Sequence, residues 1–469
     1  MKIGSMLFGT LSLSPLFAYS ADITGDKPNI VFILADDLGW TDLGVMGSDY
    51  YETPHIDRLA AEGMLFDNAY AAAANSAPSR ACMMTGMYTP RHGVYTVSPS
   101  ARGDKAARKL IPIANTEDVR ADFVTMAEAL QRQGYRCGHI GKWHLGDDED
   151  GTGPLSQGFI WNIAGGRPGT PYSYFYPYCL SDKSKCHVGL DTGTPGEYLT
   201  DRLTKEAISF MKLHKDEPFF LHLSHHAVHN PLQAPDSLIA KYRNKTPGKY
   251  HKNPIYAAMV EKLDESVGKI CEALEELGLS DNTLVVFYSD NGGSEPITDN
   301  YPLNGGKGTP YEGGIREPLI MRWPGKMKAG SRSSVPVTGV DLYPTFVTLA
   351  HGDVASELDG KDIFSLVEEN ETERDLFWHF PAYLESYVNT GKAFRATPYS
   401  IIRSGDWKLI YYYEDQTTEL FNLKVDQGES TNLADAEPSK RKELHRKLMQ
   451  WLEDTHAAVP TEPNPYYQK

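Results

Sequence analysis

The feature that most constrains the fold of this chain is a nearly continuous apolar run, Asn29–Ala35, which two aspartates follow at once. A run of this kind, without alternating polar residues, is typical of a strand that is covered on both faces. Similar short runs at 136–140, 219–223 and 283–288 alternate with segments of helical periodicity. This β–α–β alternation predicts an α/β fold with a large mixed, mainly parallel sheet between helix layers.

The C-terminal part of the chain has a different pattern, beginning at about residue 374. Two β-patterned segments flank a Ser404-Gly405-Asp406 turn, which indicates a hairpin. The predicted elements are strands at 399–403, 407–413 and 419–423 and a charged amphipathic helix at 440–454. We therefore expect an α/β domain at 22–375 and a C-terminal α+β subdomain at 376–469, a small antiparallel sheet plus helix.

The charge of the protein limits its partners. The 469 residues carry a formal net charge of −16, which disfavours nucleic acid and anionic membrane surfaces. An anionic substrate would therefore need a local cluster of arginine, lysine and histidine. No segment beyond the N-terminus is a candidate membrane span, and we expect no stable membrane insertion.

The N-terminus predicts export. A lysine at position 2, an apolar stretch over 3–17 and small residues at 18–20 are typical of a secretory signal peptide spanning 1–21. The mature protein is then expected to be secreted or periplasmic. The five cysteines are an odd number, which leaves at least one thiol free in an exported protein. Cys179 and Cys186, seven apart in a polar stretch, are the best candidates for a disulfide.

The segment Ser76–Gly86 contains the most informative motif, Ser76-Ala77-Pro78-Ser79-Arg80. A proline two residues after Ser76 and a glycine at the end predict a short helix that starts near Ser76 and stops at Gly86. Free N–H groups and the partial positive charge of a helix N-terminus would suit a sulfate ester. The alternative is that Ser76 is simply a favoured helix cap.

Two acidic pairs follow predicted strands. Asp36 and Asp37 come after the first apolar run, and Asp290 and Asn291 come after the run at 283–288. Ligands of open α/β sheets bind beyond the carboxyl ends of the strands, where these side chains would meet. Their hard oxygen atoms suit Ca²⁺, or less well Mg²⁺, and not zinc or copper. The alternative for each pair is a turn or a helix cap.

Basic residues follow the other strands of the predicted sheet. Lys142 and His144 lie two apart after the strand at 136–140, and His229 follows the strand at 219–223. Lys307 lies within Gly305-Gly306-Lys307-Gly308, where glycine lets the backbone approach a ligand closely. Taken singly, each of these could be a packed or surface residue. Together they would supply the local positive charge that an anionic substrate requires.

These segments resemble the sulfatase family in order and character from Asp36 to Glu317, and the Gly305–Pro318 run and the Asp406-Trp407-Lys408-Leu409 segment are similar as well. The resemblance implies an alkaline-phosphatase-like fold. It implies that residue 76 is oxidised to formylglycine and binds calcium together with Asp36, Asp37, Asp290 and Asn291. It also implies that Arg80, Lys142 and Lys307 hold charge near the sulfate and that His144 and His229 move protons.

Serine at position 76 departs from the commoner cysteine of this family. The resemblance to serine-type members implies a partner, a radical maturing enzyme that works without oxygen. Hydrated formylglycine carries two hydroxyls on one carbon, so that one can attack sulfur and the other can later expel sulfate. Unmodified serine lacks the second hydroxyl and would be trapped as an ester.

The expected function is an exported, calcium-dependent sulfatase acting on sulfated carbohydrate, with galactose or N-acetylgalactosamine sulfates favoured. Two alternatives remain: a phosphomonoester or phosphonate hydrolase of the same superfamily, and a non-catalytic glycan-binding protein in which Ser76 stays serine. Candidate sugar contacts, each with packing or a loop as the alternative, are Trp378–Pro381, Tyr383, Gly165-Gly166-Arg167 and Asp299-Asn300.

Overall fold

The structure, a computed structural model, describes residues 27–182, 185–387 and 391–468. The predicted signal peptide lies outside the described residues. None of the helices in the described part of the chain combines the length and the apolar character needed to cross a membrane.

The secondary structure follows the alternation predicted from the sequence. The strands are β1 (Asn29–Ala35), β2 (Met64–Phe66), β3 (Ala69–Tyr70), β4 (Arg136–Gly141), β5 (Trp161–Ile163), β6 (Phe219–Ser224), β7 (Thr283–Ser289), β8 (Leu319–Arg322), β9 (Ser331–Ser333), β10 (Val337–Thr338), β11 (Asp375–Phe380), β12 (Leu384–Glu385), β13 (Phe394–Ala396), β14 (Tyr399–Ser404), β15 (Trp407–Tyr412) and β16 (Thr417–Asn422). The helices are α1 (Pro54–Glu62), α2 (Ser76–Thr85), α3 (Thr89–His92), α4 (Met126–Arg132), α5 (Leu199–Leu213), α6 (Asp236–Asn244), α7 (Pro254–Glu276), α8 (Glu312–Ile315), α9 (Leu342–Leu349), α10 (Ile363–Glu368) and α11 (Pro438–Asp454).

The large sheet has the strand order β5-β4-β6-β1-β7-β8-β2-β9. Its strands pair in parallel except β8, which runs antiparallel to both β7 and β2. The predicted mixed, mainly parallel sheet is therefore confirmed. The sequence did not indicate that β8 is the antiparallel strand, because a four-residue apolar segment carries no signal of its direction.

Strand β1 lies between two hydrophobic cores. Successive side chains of a strand point to opposite faces, and here Val31, Ile33 and Ala35 pack with α1, α5 and α7 on one face. Ile30, Phe32 and Leu34 pack with α2, α4 and α9 on the other. All seven residues of β1 are buried, which explains the apolar run seen in the sequence.

The register of the parallel strands aligns their carboxyl ends. Ala35 of β1 lies opposite Ser289 of β7, and Leu34 lies opposite Ser224 of β6. Gly141, at the end of β4, also pairs with Ser224, and a Cβ on Gly141 would lie 1.8 Å from the carbonyl oxygen of Ser224. Only glycine permits this approach, which brings the segment after β4 against the ends of β6 and β1.

The C-terminal region is a four-stranded antiparallel sheet of order β11-β14-β15-β16, with α11 packed on one face. The three predicted strands and the predicted helix are present. The sequence analysis missed β11 because it interpreted Trp378–Pro381 as a sugar contact. Trp378 is instead buried, and its indole N–H donates to the carbonyl oxygen of Ala71 at 2.7 Å.

A buried ion cluster joins this sheet to the catalytic part of the chain. The ammonium of Lys408 lies 3.0 Å from Glu312 and 2.7 Å from Glu429, and all three side chains are fully buried. The hydroxyl of Tyr70 donates to the second oxygen of Glu312 at 2.8 Å. Because Glu312 follows Lys307 by only five residues, the cluster anchors the lysine loop to the C-terminal sheet.

The predicted disulfide between Cys179 and Cys186 is present. The other three cysteines, Cys82, Cys137 and Cys271, have free thiols.

Candidate active site

Helix α2 places Ser76 at its first position. The helix ends at Gly86, which adopts a left-handed conformation with φ 68° and donates its N–H to the carbonyl oxygen of Cys82. The predicted start and stop are thus confirmed. Ser76 is almost fully buried, and its hydroxyl lies 3.1 Å from Asp36 Oδ1 and 3.1 Å from Asn291 Oδ1. A cap residue would bond to its own helix, whereas this hydroxyl faces groups on two other strands.

The two acidic pairs meet at the carboxyl ends of β1 and β7. The backbone N–H of Asp37 donates to Asp290 Oδ1 at 3.2 Å, and Asn291 Nδ2 donates to Asp37 Oδ1 at 2.8 Å. All four side chains are buried. Burial raises the pKa of Asp290. Burial acts to raise the pKa of Asp37, but the combined charges of Lys307, His229 and Lys142 hold it well below its ordinary value.

Three cations neutralise the three carboxylates. Arg80 binds Asp290 at 2.8 Å, Lys142 binds Asp36 at 2.8 Å and Lys307 binds Asp37 at 2.7 Å. Burial lowers the pKa of Lys142, whereas Asp37 and Asp36 raise that of Lys307 in spite of burial. Buried charges are tolerated only when paired, so these contacts fix the positions of all six side chains.

The residues at this point fit a hard divalent cation. Asp36, Asp37 and His229 bring candidate ligand atoms within 4.8 Å of one another, and Ser76 and Asn291 add oxygen atoms beside Asp36. Carboxylate and amide oxygens are the donors that Ca²⁺ and Mg²⁺ prefer. The contacts between the two acidic pairs are short enough for shared coordination, and the assignment of individual ligands stays a prediction.

His144 lies at the wall of the same site in an unusual backbone conformation, with φ 66°. Its backbone N–H donates to the carbonyl oxygen of Gly166 at 2.9 Å, and its buried Nδ1 has no hydrogen-bond partner among the described residues. Burial and then the charges of Lys142 and Arg80 lower the pKa of its imidazole. His144 is therefore neutral and able to accept a proton.

His229 lines the same site as His144, and its Nε2 lies 3.6 Å from Asp37 Oδ2. Its Nδ1–H donates to the carbonyl oxygen of Asn230 at 2.8 Å, which leaves Nε2 facing the site. Burial, followed by the charge of Lys307, lowers the pKa of His229 to about 3. Lys307, whose pKa is raised by Asp37 and Asp36 in spite of burial, stays charged beside it.

A cavity of about 270 Å³ opens above these groups. Of the predicted site residues, Asp37, Ser76, His144, His229 and Lys307 line it. The sequence analysis did not identify the residues at its mouth: Arg102, Thr170, Asn230, Tyr387 and Arg395. Arg395 lies more than three hundred residues from Ser76 and belongs to no motif, so its place in the cavity follows only from the fold.

Several predicted sugar contacts have packing roles. His379 is buried between Ser400 and the carbonyl oxygen of Ala458, and the Tyr383 hydroxyl donates to Glu414. Asn300 is buried and donates to the carbonyl oxygens of Gly293 and Gly305. Arg167 is engaged with three aspartates, Asp118, Asp147 and Asp150. For His379, Tyr383 and Asn300 these contacts favour the packing alternative, which the sequence could not decide because aromatic and polar motifs give no information on burial.

Comparisons with known proteins show the family of this chain. A model of the sulfatase family matches residues 28–352, and the model "N-sulphoglucosamine sulphohydrolase, C-terminal" matches 306–458. A sulfatase of Formosa agariphila is 35% identical, covering 95% of this chain and 93% of that protein. The N-acetylgalactosamine-6-sulfatase of Mus musculus is 32% identical, covering 93% and 88%. The crystal structure of Ps i-CgsB in complex with k-i-k-neocarrahexaose is 32% identical, with a TM-score of 0.76, covering 91% and 93%.

The fold and the buried acid–base site define an alkaline-phosphatase-like hydrolase. The chain belongs to the sulfatase family and hydrolyses sulfate esters. The predicted family and enzyme class are confirmed.

The wall behind His144 gives a first prediction. A Cβ added to Gly169 would lie 2.3 Å from His144 Nε2, so Gly169→Ala must displace the imidazole. Because a shift of about 1 Å can cost ~100-fold in rate, we expect turnover to fall roughly 10- to 100-fold with little change in melting temperature. Steady-state kinetics and thermal unfolding measure the two effects.

The control is Lys212→Ala, which shortens an exposed side chain of α5. It should leave turnover unchanged. Full activity of Gly169→Ala would show that the position of His144 is not critical.

Proposed function

We propose that this sulfatase removes sulfate from carbohydrates, with calcium as its metal and Ser76 oxidised to formylglycine. The observation that carries the proposal is the burial of Ser76 Oγ between Asp36 and Asn291, at the floor of a cavity lined with cationic and imidazole groups. A plain helix cap would need none of these neighbours. The oxidised side chain, when hydrated, would supply one hydroxyl to attack sulfur and a second to expel sulfate.

The residues around Ser76 would bind the metal, orient its ligands and supply positive charge. Asp36, Asp37, Asp290 and Asn291 would hold Ca²⁺, which supplies positive charge for the nucleophile and the sulfate oxygens. Arg80 and Lys142 each bind a carboxylate of this set and thereby fix its orientation. Lys307 lines the cavity and presents its charge to the ester oxygens.

Two histidines that line the cavity fit the two proton movements that the reaction requires. His229 lies beside Lys307, which is the charged donor for the departing alcohol. His144 is neutral and has a free Nδ1 within the described part of the chain, so it suits the role of base when sulfate leaves the enzyme.

The proposed substrate class rests on the relatives. The mouse relative acts on N-acetylgalactosamine 6-sulfate by its name, and the solved structure holds a carrageenan-type oligosaccharide. Galactose or N-acetylgalactosamine sulfates are therefore favoured. Phosphomonoesters and phosphonates are the alternative substrates, and simple glycan binding is the alternative if Ser76 stays unmodified.

Further proposals concern the processing, export, maturation and domain division of the chain. We propose removal of residues 1–21, export to the periplasm or beyond, and maturation by a serine-type sulfatase-maturing enzyme. The division into 22–375 and 376–469 is likewise proposed, supported by the start of β11 at Asp375.

The test of this function is the state of residue 76. Protein produced with a serine-type maturase should hydrolyse sulfated sugars with repeated turnover, and intact-mass analysis should show the loss of two hydrogens at Ser76. Ser76→Ala should retain the fold and lose turnover by at least ~10⁴-fold, as expected on removal of a nucleophile. Repeated turnover by protein whose residue 76 is shown to be serine would contradict the proposal, and a preference for phosphate esters would favour the alternative hydrolase.

Calcium should stabilise the fold. A ligand that binds only the folded state at 100 times its dissociation constant adds about 2.7 kcal/mol to the free energy of unfolding. We therefore expect the melting temperature of chelator-treated protein to rise when Ca²⁺ is added. Asp290→Asn should remove this rise, whereas Asp435→Asn, a change of an exposed aspartate on the C-terminal subdomain, should keep it. An equal rise in both variants would argue against a site at Asp290.

Replacement of His229 and replacement of His144 should impair different steps of the reaction. His229→Ala should slow sugar sulfates, whose alcohols leave poorly, far more than aryl sulfates, whose phenols leave without a proton. His144→Ala should permit one attack and then accumulate sulfated enzyme, visible by mass spectrometry. Equal losses on both substrate types for the first variant, with no adduct in the second, would mean that the two roles are wrongly assigned.

A further inference from the structure

The mouth of the cavity carries a guanidinium that the proposed reaction does not use. Arg395 belongs to β13 and lines the cavity together with Ser76 and Lys307. Its guanidinium carbon lies 4.1 Å from the ring centroid of Tyr387, a cation–π contact that holds the side chain flat against the aromatic face. The group is thus positioned by packing and not by a salt bridge.

The charge of Arg395 is not neutralised by an ion pair. Within residues 27–182, 185–387 and 391–468, no carboxylate lies within 4.0 Å of its guanidinium, and its buried Nε has no hydrogen-bond partner. Arg102, the other arginine at the mouth, is paired with Glu385. The charge of Arg395 opposes the rise in the pKa of Glu295 that burial causes, but the two side chains form no ion pair.

The position of Arg395 relative to the sulfate site is fixed by the lysine loop. A Cβ on Gly308 would lie 3.1 Å from Arg395 Nε, so the guanidinium lies against the backbone next to Lys307. The ammonium of Lys307 points down to Asp37 at the floor, while Arg395 stays at the mouth. A sugar whose sulfate reaches Ser76 would therefore present a different substituent to Arg395.

We propose that Arg395 binds a second anionic group of the substrate and makes the enzyme selective for doubly charged sugars. This inference rests on the proposed function and deepens it. The second group is a further sulfate or a uronate carboxylate, because guanidinium donates two parallel hydrogen bonds to either. The unpaired Nε–H is one of the donors that such a group would satisfy.

The experiment compares three matched disaccharides on the matured enzyme. The first carries one sulfate and no other charge, the second carries two sulfates, and the third carries one sulfate and a uronate carboxylate. The variants are Arg395→Gln, Arg395→Lys and, as control, Arg441→Gln, which changes a partly exposed arginine of α11. The wild type should have a kcat/KM at least about tenfold higher for one or both doubly charged sugars, the expected size of a charge-assisted hydrogen bond. A preference for the disulfated sugar identifies the second group as a sulfate, and a preference for the uronate-containing sugar identifies it as a carboxylate.

Arg395→Gln should remove the preference and leave kcat/KM for the disaccharide with a single sulfate within about twofold of the wild type. Arg395→Lys should keep part of the preference, and Arg441→Gln should keep all of it. Raising the salt concentration from about 0.01 M to about 0.1 M should reduce the wild-type preference for doubly charged sugars. It should not change the relative kcat/KM values of Arg395→Gln, because only the wild-type preference depends on the charge of Arg395. Equal losses on all three sugars, or no loss on any, would overturn the inference.

Binding to unmodified protein separates this inference from the proposed function. If the matured enzyme hydrolyses none of the sugars, the proposed function fails. Calorimetry of the three sugars on protein with serine at position 76 then still decides the role of Arg395, since it needs no turnover. Tighter binding of a doubly charged sugar that Arg395→Gln abolishes would support the inference, and equal binding of all three would overturn it.

Discussion

The structure depends on a buried arrangement of three carboxylates and three cations at the carboxyl ends of β1 and β7. Asp36, Asp37 and Asp290 are each paired with a different base, and removal of one member would leave an uncompensated buried charge, at a cost of roughly 3–5 kcal/mol. The six charges sum to zero. A divalent cation added here would leave the site positive, which suits a sulfate ester in a protein that is otherwise strongly acidic.

The large sheet makes this arrangement possible. Each face of β1 packs against its own hydrophobic core, so the strand cannot shift without exposing apolar side chains on both sides. The glycine at the end of β4 then brings Lys142 against Ser224 and Asp36. Rigid strands thus hold the charged groups, and the loops between them carry His144, His229 and Lys307, as is usual in α/β enzymes.

The C-terminal sheet contributes to the site in two ways. Lys408 anchors Glu312 and with it the end of the lysine loop, while the β12–β13 segment places Arg395 and Tyr387 at the cavity mouth. Ser76, His144, His229 and Lys307 line the cavity from the α/β part of the chain, whereas Leu384, Tyr387 and Arg395 line it from the C-terminal part. A substitution in the second group can therefore leave the first group in place.

The sequence by itself determined the α/β class, the helix that begins at Ser76, the family, and the residues of the floor, because strand periodicity and short motifs are local properties. It could not decide which aromatic residues are exposed, and Trp378 and Tyr383 proved to be packed in the core. Only the tertiary structure placed Gly169 behind His144 and Arg395 beside Lys307. Contacts between residues far apart in the chain leave no periodic or motif signal, because they arise when separate elements pack together.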